Sequence, residues 1–179
     1  MILPALSQKF AHNGYEFSDV ASADIPMIRE WLRSPHLTDW WTPSVEDMAD
    51  ISSGLSTAAA RYFLVSYQGR PYALIQCSDL GSDLVRTNRL GDDYPVEPGT
   101  FAIHQFVGDV EMLGFGHGTN FIKAFITELK RQPEVKRLMV TPAQDNAPAI
   151  KCYAQAGFRK DKPRQTPSGL CLLMVMPLA

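Results

Sequence analysis

The chain has 179 residues, of which 45% are apolar and 20% charged, proportions that suit one globular domain and exclude a largely disordered tract. Seventeen Lys and Arg against nineteen Asp and Glu leave a formal charge of −2, which supplies no electrostatic reason to expect nucleic acid or an anionic membrane as partner. The longest strongly apolar stretch, residues 170–176, is far short of the ~20 residues of a membrane span. The N-terminus (MILPALSQKF) lacks the basic and long apolar regions of a secretory signal. Three cysteines without CxxC spacing, Cys77, Cys152 and Cys171, argue against a disulfide scaffold or a zinc cluster. A reduced, cytoplasmic protein without a metal site is the expectation.

Residues 15–20 read as a first strand. Ser22 is placed to cap a helix through Leu32, with Ile25, Ile28, Trp31 and Leu32 on one apolar face and Pro26 in its first turn. Ser44 and Asp47 have the spacing of a capping box, opening a second helix with Met48, Ile51 and Leu55. Residues 61–67 and 72–77, joined across Gln68-Gly69-Arg70-Pro71, read as a hairpin. A polar loop over residues 78–99 follows, of a length that often carries function. Strands are expected at 100–107 and 137–140, with a helix over 119–130 between them. Asn146 caps a short helix that Gly157 ends, and the apolar run 170–176 closes the sheet. Alternating strands and helices predict an α/β or α+β sheet layered with helices.

Two segments carry chemistry. In Leu113-Gly114-Phe115-Gly116-His117-Gly118-Thr119 the glycines let successive backbone N–H groups converge, and the helix that follows adds the positive end of its dipole, a nest suited to a pyrophosphate. The spacing is neither the GxGxxG of dinucleotide folds nor a P-loop, because no Lys-Ser/Thr follows. Downstream lies Asn146-Ala-Pro-Ala-Ile-Lys-Cys-Tyr153-Ala-Gln-Ala-Gly157-Phe158. Together the glycine loop, the helix and this N-x-x-A-x-x-x-Y-x-x-x-G-F segment resemble the acyl-CoA-binding core of the GNAT superfamily of N-acetyltransferases. Trp40-Trp41, Glu97-Pro98-Gly99-Thr100, and the run from His104 through Asp109 resemble more closely the aminoglycoside 6′-N-acetyltransferase branch, which grades into siderophore-type N-acyltransferases.

The resemblance implies a single GNAT-like domain over residues 14–177 after an N-terminal extension of residues 1–13. Its mixed central sheet of about six or seven strands would splay near the acyl group. It implies acetyl-CoA as co-substrate, with Phe106 and Val107 at the pantetheine end of the central strand and the backbone from Leu113 to Thr119 around the pyrophosphate. Asn146 would touch the cofactor arm and Tyr153 the thioester sulfur, where a phenol can protonate a departing thiolate. Acceptor contacts are sought at Asp39, Trp40, Trp41, Gln76, Asp79 and His104.

Three positions depart from the family pattern. Leu113 stands where the loop often has Gln or Arg, His104 where the aminoglycoside branch has Asp, and Thr141, before Pro142, where a second acid is common. The expected reaction is direct acyl transfer to a small-molecule amine. His104 would accept the amine proton, the Phe106 N–H would face the oxyanion, and Tyr153 would assist thiolate departure. Cys152 carries no mark of an activated nucleophile. The alternatives are a hydroxylamino acceptor, as in the siderophore-type relatives, and a CoA-binding module without turnover. Exposed apolar strand edges near the C-terminus would allow a homodimer.

Overall fold

A computed structural model describes residues 4–40, 60–81, 90 and 95–178. Eight strands form one sheet: β1 (Lys9–His12), β2 (Tyr15–Asp19), β3 (Ala60–Tyr67), β4 (Arg70–Asp79), β5 (Thr100–Val107), β6 (Arg137–Val140), β7 (Arg159–Thr166) and β8 (Gly169–Pro177), in the order β1-β2-β3-β4-β5-β6-β8-β7. Every pairing is antiparallel except β5 with β6. The described helices are α1 (Ile25–Leu32), α2 (Pro35–Thr38), α3 (His117–Leu129) and α4 (Ala147–Ala156). The expected helix after Ser44 lies outside the described residues, as does nearly all of the loop at 78–99.

The hairpin, the central strand and the helices at 117–129 and 147–156 match the sequence reading, with Gln68 and Gly69 both left-handed at the β3–β4 turn. Ser22 is not the helix cap. Ser22–Asp24 is a 3-10 turn, and Asp24 instead accepts from the Ala21 N–H at 2.8 Å before α1 begins. Two strands escaped the reading. β1 lies within the segment expected as an N-terminal extension, and its Phe10 stacks on Phe17 while His12 Nε2 meets Glu128 Oε2 at 2.8 Å on α3. β7 (RKDKPRQT) has no apolar alternation, but pairing with β8 orders it. The apolar 170–176 run therefore does not close the sheet. It lies inside, between β6 and β7, and the edge it was expected to offer a second copy is covered by a charged, Pro-bearing strand.

β5 positions the site. Leu80 N–H donates to Thr100 C=O and Gly108 N–H to Tyr72 C=O, so the even-numbered residues of β5 turn their backbone groups to β4. Odd-numbered residues face β6, which stays paired only from Thr100 to Ala102. Beyond that point the strands part, and the backbone groups of Gln105 and the Val107 N–H open into the gap, while the Val107 C=O accepts from His36. Side chains alternate likewise. Phe101, Ile103 and Val107 join the core under α3 and α4, whereas Phe106 packs with Ile28, Leu37 and Leu74 beneath α1 and α2.

Candidate active site

A cavity of about 590 Å³ opens at the gap between β5 and β6 and runs to the start of α3, within the size range of small-molecule sites. One wall is the glycine loop. Gly114 (φ 83°) and Gly116 (φ 80°) are both left-handed, a conformation that disfavours any side chain, and Gly116 is the N-cap of α3. The resulting turn brings Gly114, Gly116, His117, Gly118 and Thr119 onto the cavity, with Leu113 at its rim. Phe115 does not line it; its ring is 75% exposed.

The opposite wall comes from α4. Asn146 Oδ1 accepts from the Ala149 N–H at 3.1 Å and so caps the helix, which leaves its amide NH2 as the group available toward the cavity. Tyr153 is buried, edge-on to Phe158 at 5.6 Å, and reaches the same space. Cys152 also lines it; burial raises its thiol pKa, outweighing the hydroxyl of Thr119, which donates to its Sγ at 3.4 Å and acts the other way.

The floor is β5, through His104, Gln105, Phe106 and Val107. His104 sits opposite Gln76 in the β4–β5 register, between the apolar cluster under α1 and the one formed by Leu80, Leu90 and Ala102. The expectation for the Phe106 N–H is corrected: residue 106 is paired with Leu74 in the ladder, and the gap-facing N–H groups belong to Gln105 and Val107. Phe106 contributes its ring instead.

The acceptor candidates divide. Trp40, 45% exposed, and His104 line the cavity. Gln76 does not: it is buried, with its amide donating to Tyr62 Oη at 2.9 Å. Asp79 is also buried, its carboxylate closing a turn by accepting from Gly81 N–H at 2.8 Å. Asp39 is exposed and away from the lining. Trp41 lies outside the described residues.

Lining residues that the sequence reading did not assign to the site include Lys151 and His36. Lys151 lies on the same face of α4 as Pro148 and Gln155, a spacing of three and four that helical periodicity reveals. His36 lies on α2 and donates from Nε2 to Val107 C=O at 2.9 Å, holding the end of β5 at the gap. Ser34-Pro35 is a legible helix start, but a contact spanning 71 positions has no local signature.

A family model for the acetyltransferase (GNAT) domain matches residues 20–166. The chain belongs to the GNAT acetyltransferase family. It is 29% identical over 163 residues to an aminoglycoside N(6′)-acetyltransferase type 1 of Klebsiella pneumoniae, covering 85% of this chain and 77% of the relative. A lysine N-acyltransferase of Mycobacterium sp. (strain MCS) is 21% identical over 159 residues, 87% of this chain and 62% of that protein. Among solved structures, the aminoglycoside acetyltransferase AAC(6′)-Ib in complex with coenzyme A and kanamycin superposes with a TM-score of 0.77 at 25% identity, over 91% of this chain and 94% of that one.

As a GNAT enzyme the chain is an N-acetyltransferase with acetyl-CoA as co-substrate. The cavity fits that thioester by its own chemistry. The parted β5 edge offers an amide-bearing pantetheine chain the backbone N–H and C=O of Gln105 and the N–H of Val107, as an added strand would find. The nest at the head of α3 suits the diphosphate, and Lys151 is a cation on the wall between them. Among the described residues no group of three or more His, Cys, Asp and Glu side chains is placed to hold a metal, and no helix is long and apolar enough to cross a membrane.

Proposed function

We propose that this GNAT enzyme acetylates an amino group of an aminoglycoside-like polyamine, with His104 as the base, Tyr153 as the acid, and the backbone N–H groups of Gln105 and Val107 beside the developing oxyanion. The observation that carries this reading is the convergence of His104, the open edge of β5, the glycine nest and Tyr153 on one cavity. A protonated amine cannot attack a thioester, so its proton must pass to a neighbouring base, and an imidazole is suited to accept it near neutral pH. The tetrahedral carbon carries an oxyanion that an N–H at the gap stabilises. Collapse breaks the C–S bond, and the Tyr153 phenol protonates the thiolate. Burial raises the Cys152 thiol pKa, which disfavours a covalent acyl-cysteine and accords with direct transfer.

The acceptor class rests on likeness to the Klebsiella relative. One observation favours a second reading, a hydroxylamino acceptor: the described residues lining the cavity include no Asp or Glu, whereas polycationic amino sugars call for counter-charge. A thiol-release assay with acetyl-CoA across kanamycin, ribostamycin, polyamines and N-hydroxylated diamines decides between them. Turnover is expected on the aminoglycosides. Turnover confined to the hydroxylated diamines selects the second reading, and none on any amine refutes both.

A further inference from the structure

The glycine loop carries no Lys or Arg of its own: position 113 is Leu, position 115 is an outward-facing Phe, and the cation lining the cavity, Lys151, stands on α4. His117, the first residue of α3, occupies the loop's wall of the cavity. It is half-buried in a box of three phenol rings, with centroids at 4.8 Å (Tyr67), 5.7 Å (Tyr72) and 6.0 Å (Tyr15). Its Nδ1 lies 3.0 Å from Tyr15 Oη. With the phenol as the donor of this pair, the proton of the imidazole stands on Nε2.

Resting on the reading that the nest holds the diphosphate of CoA, we propose that His117 is a cofactor-binding residue that donates Nε2–H to a diphosphate oxygen, with Tyr15 as the positioning residue whose phenol donates to Nδ1 and so selects this tautomer. The side chain then supplies the directed donor that Leu113 and Phe115 do not. The aromatic box prevents the ring from rotating, so the donor is prepared before the ligand arrives.

Calorimetric titration of the full chain with CoA, dephospho-CoA and pantetheine (the last by competition with CoA) tests this. His117→Ala is expected to weaken CoA and dephospho-CoA ~10-fold or more, as for a hydrogen bond to a charged group, and to change pantetheine, which has no phosphate, less than twofold. Tyr15→Phe keeps the ring packing and is expected to weaken CoA about threefold, while nitrogen-15 spectra of His117 move from the Nε2–H form to a tautomer mixture. Equal losses for pantetheine, unchanged CoA affinity in both variants, or an Nδ1–H ring in the parent protein each overturn the proposal. A parent protein that does not bind CoA at all overturns the functional reading first, and this inference with it.

Discussion

Gly108 follows β5 directly, where its N–H donates to Tyr72 C=O at 2.7 Å. A Cβ at this position would lie 2.1 Å from Trp31 Cδ2, 2.3 Å from Cγ and 2.4 Å from Cε3. Carbon atoms rest at ~3.5–4.0 Å, so Gly108→Ala forces an overlap of about 1.4 Å to be relieved. The obstacle is a rigid indole packed edge-on against Phe106 at 6.4 Å, not the end of a flexible chain. Overpacking of this kind costs ~1–3 kcal/mol, and three clashing ring atoms place it at about the upper end. At ~2–4 °C per kcal/mol for a domain of this size, thermal unfolding followed by circular dichroism should show Tm lowered by about 6–12 °C. CoA affinity should fall as well, because the displaced strand end includes Val107, which His36 holds at the cofactor gap. Gly118→Ala is the control: its Cβ meets Cys152 Sγ at an ordinary 3.5 Å, and Tm should stay within about 2 °C. In a Trp31→Leu background Gly108→Ala should lose much of its effect, since contacting sites are not additive. A Gly108→Ala protein as stable as its parent, or strict additivity with Trp31→Leu, refutes the steric argument.

His104→Ala should lower kcat ~100-fold or more while the Kd for CoA changes less than twofold, the signature of a lost proton acceptor; a loss below tenfold removes the base role. Tyr153→Phe should reduce kcat by ~10-fold at the transfer step with CoA binding retained, and a matching loss of binding would assign the phenol to packing. Alkali should destabilise the fold. Burial pushes the Cys77 thiol up to about 12 and raises the Tyr72 phenol too. A raised native pKa contributes stability that is complete below the unfolded thiol value of ~9 and is lost as pH rises toward the native one. The slope is ~1.4 kcal/mol per pH unit for each such proton. Urea unfolding at pH 8 and pH 10 should show the decline, and Cys77→Ala should remove one proton's share of it; equal stability at both pH values contradicts the assignment.

Segments whose own residues dictate backbone shape were legible without coordinates. Gly114 and Gly116 had to be glycines for left-handed turns, Asn146 and Gly157 bracket α4, and Gln68-Gly69 turns the hairpin. These are short-range effects, so the motif around them pointed to an acyl-CoA site. What depends on partners far along the chain was not legible. β1 and β7 are polar segments that become strands only because β2 and β8 present open edges. The backbone direction of Phe106 is set by the register with Leu74, which no pattern within β5 encodes. His36 became part of the site only when α2 met the end of β5, and His117 gained a hydrogen-bond partner for its Nδ1 from a tyrosine on β2. Composition and turn chemistry determined the elements, and the resemblance of the two motifs to the GNAT superfamily implied the class of ligand. Strand register and long-range hydrogen bonds, energies that exist only once the sheet is assembled, decided which atoms face that ligand.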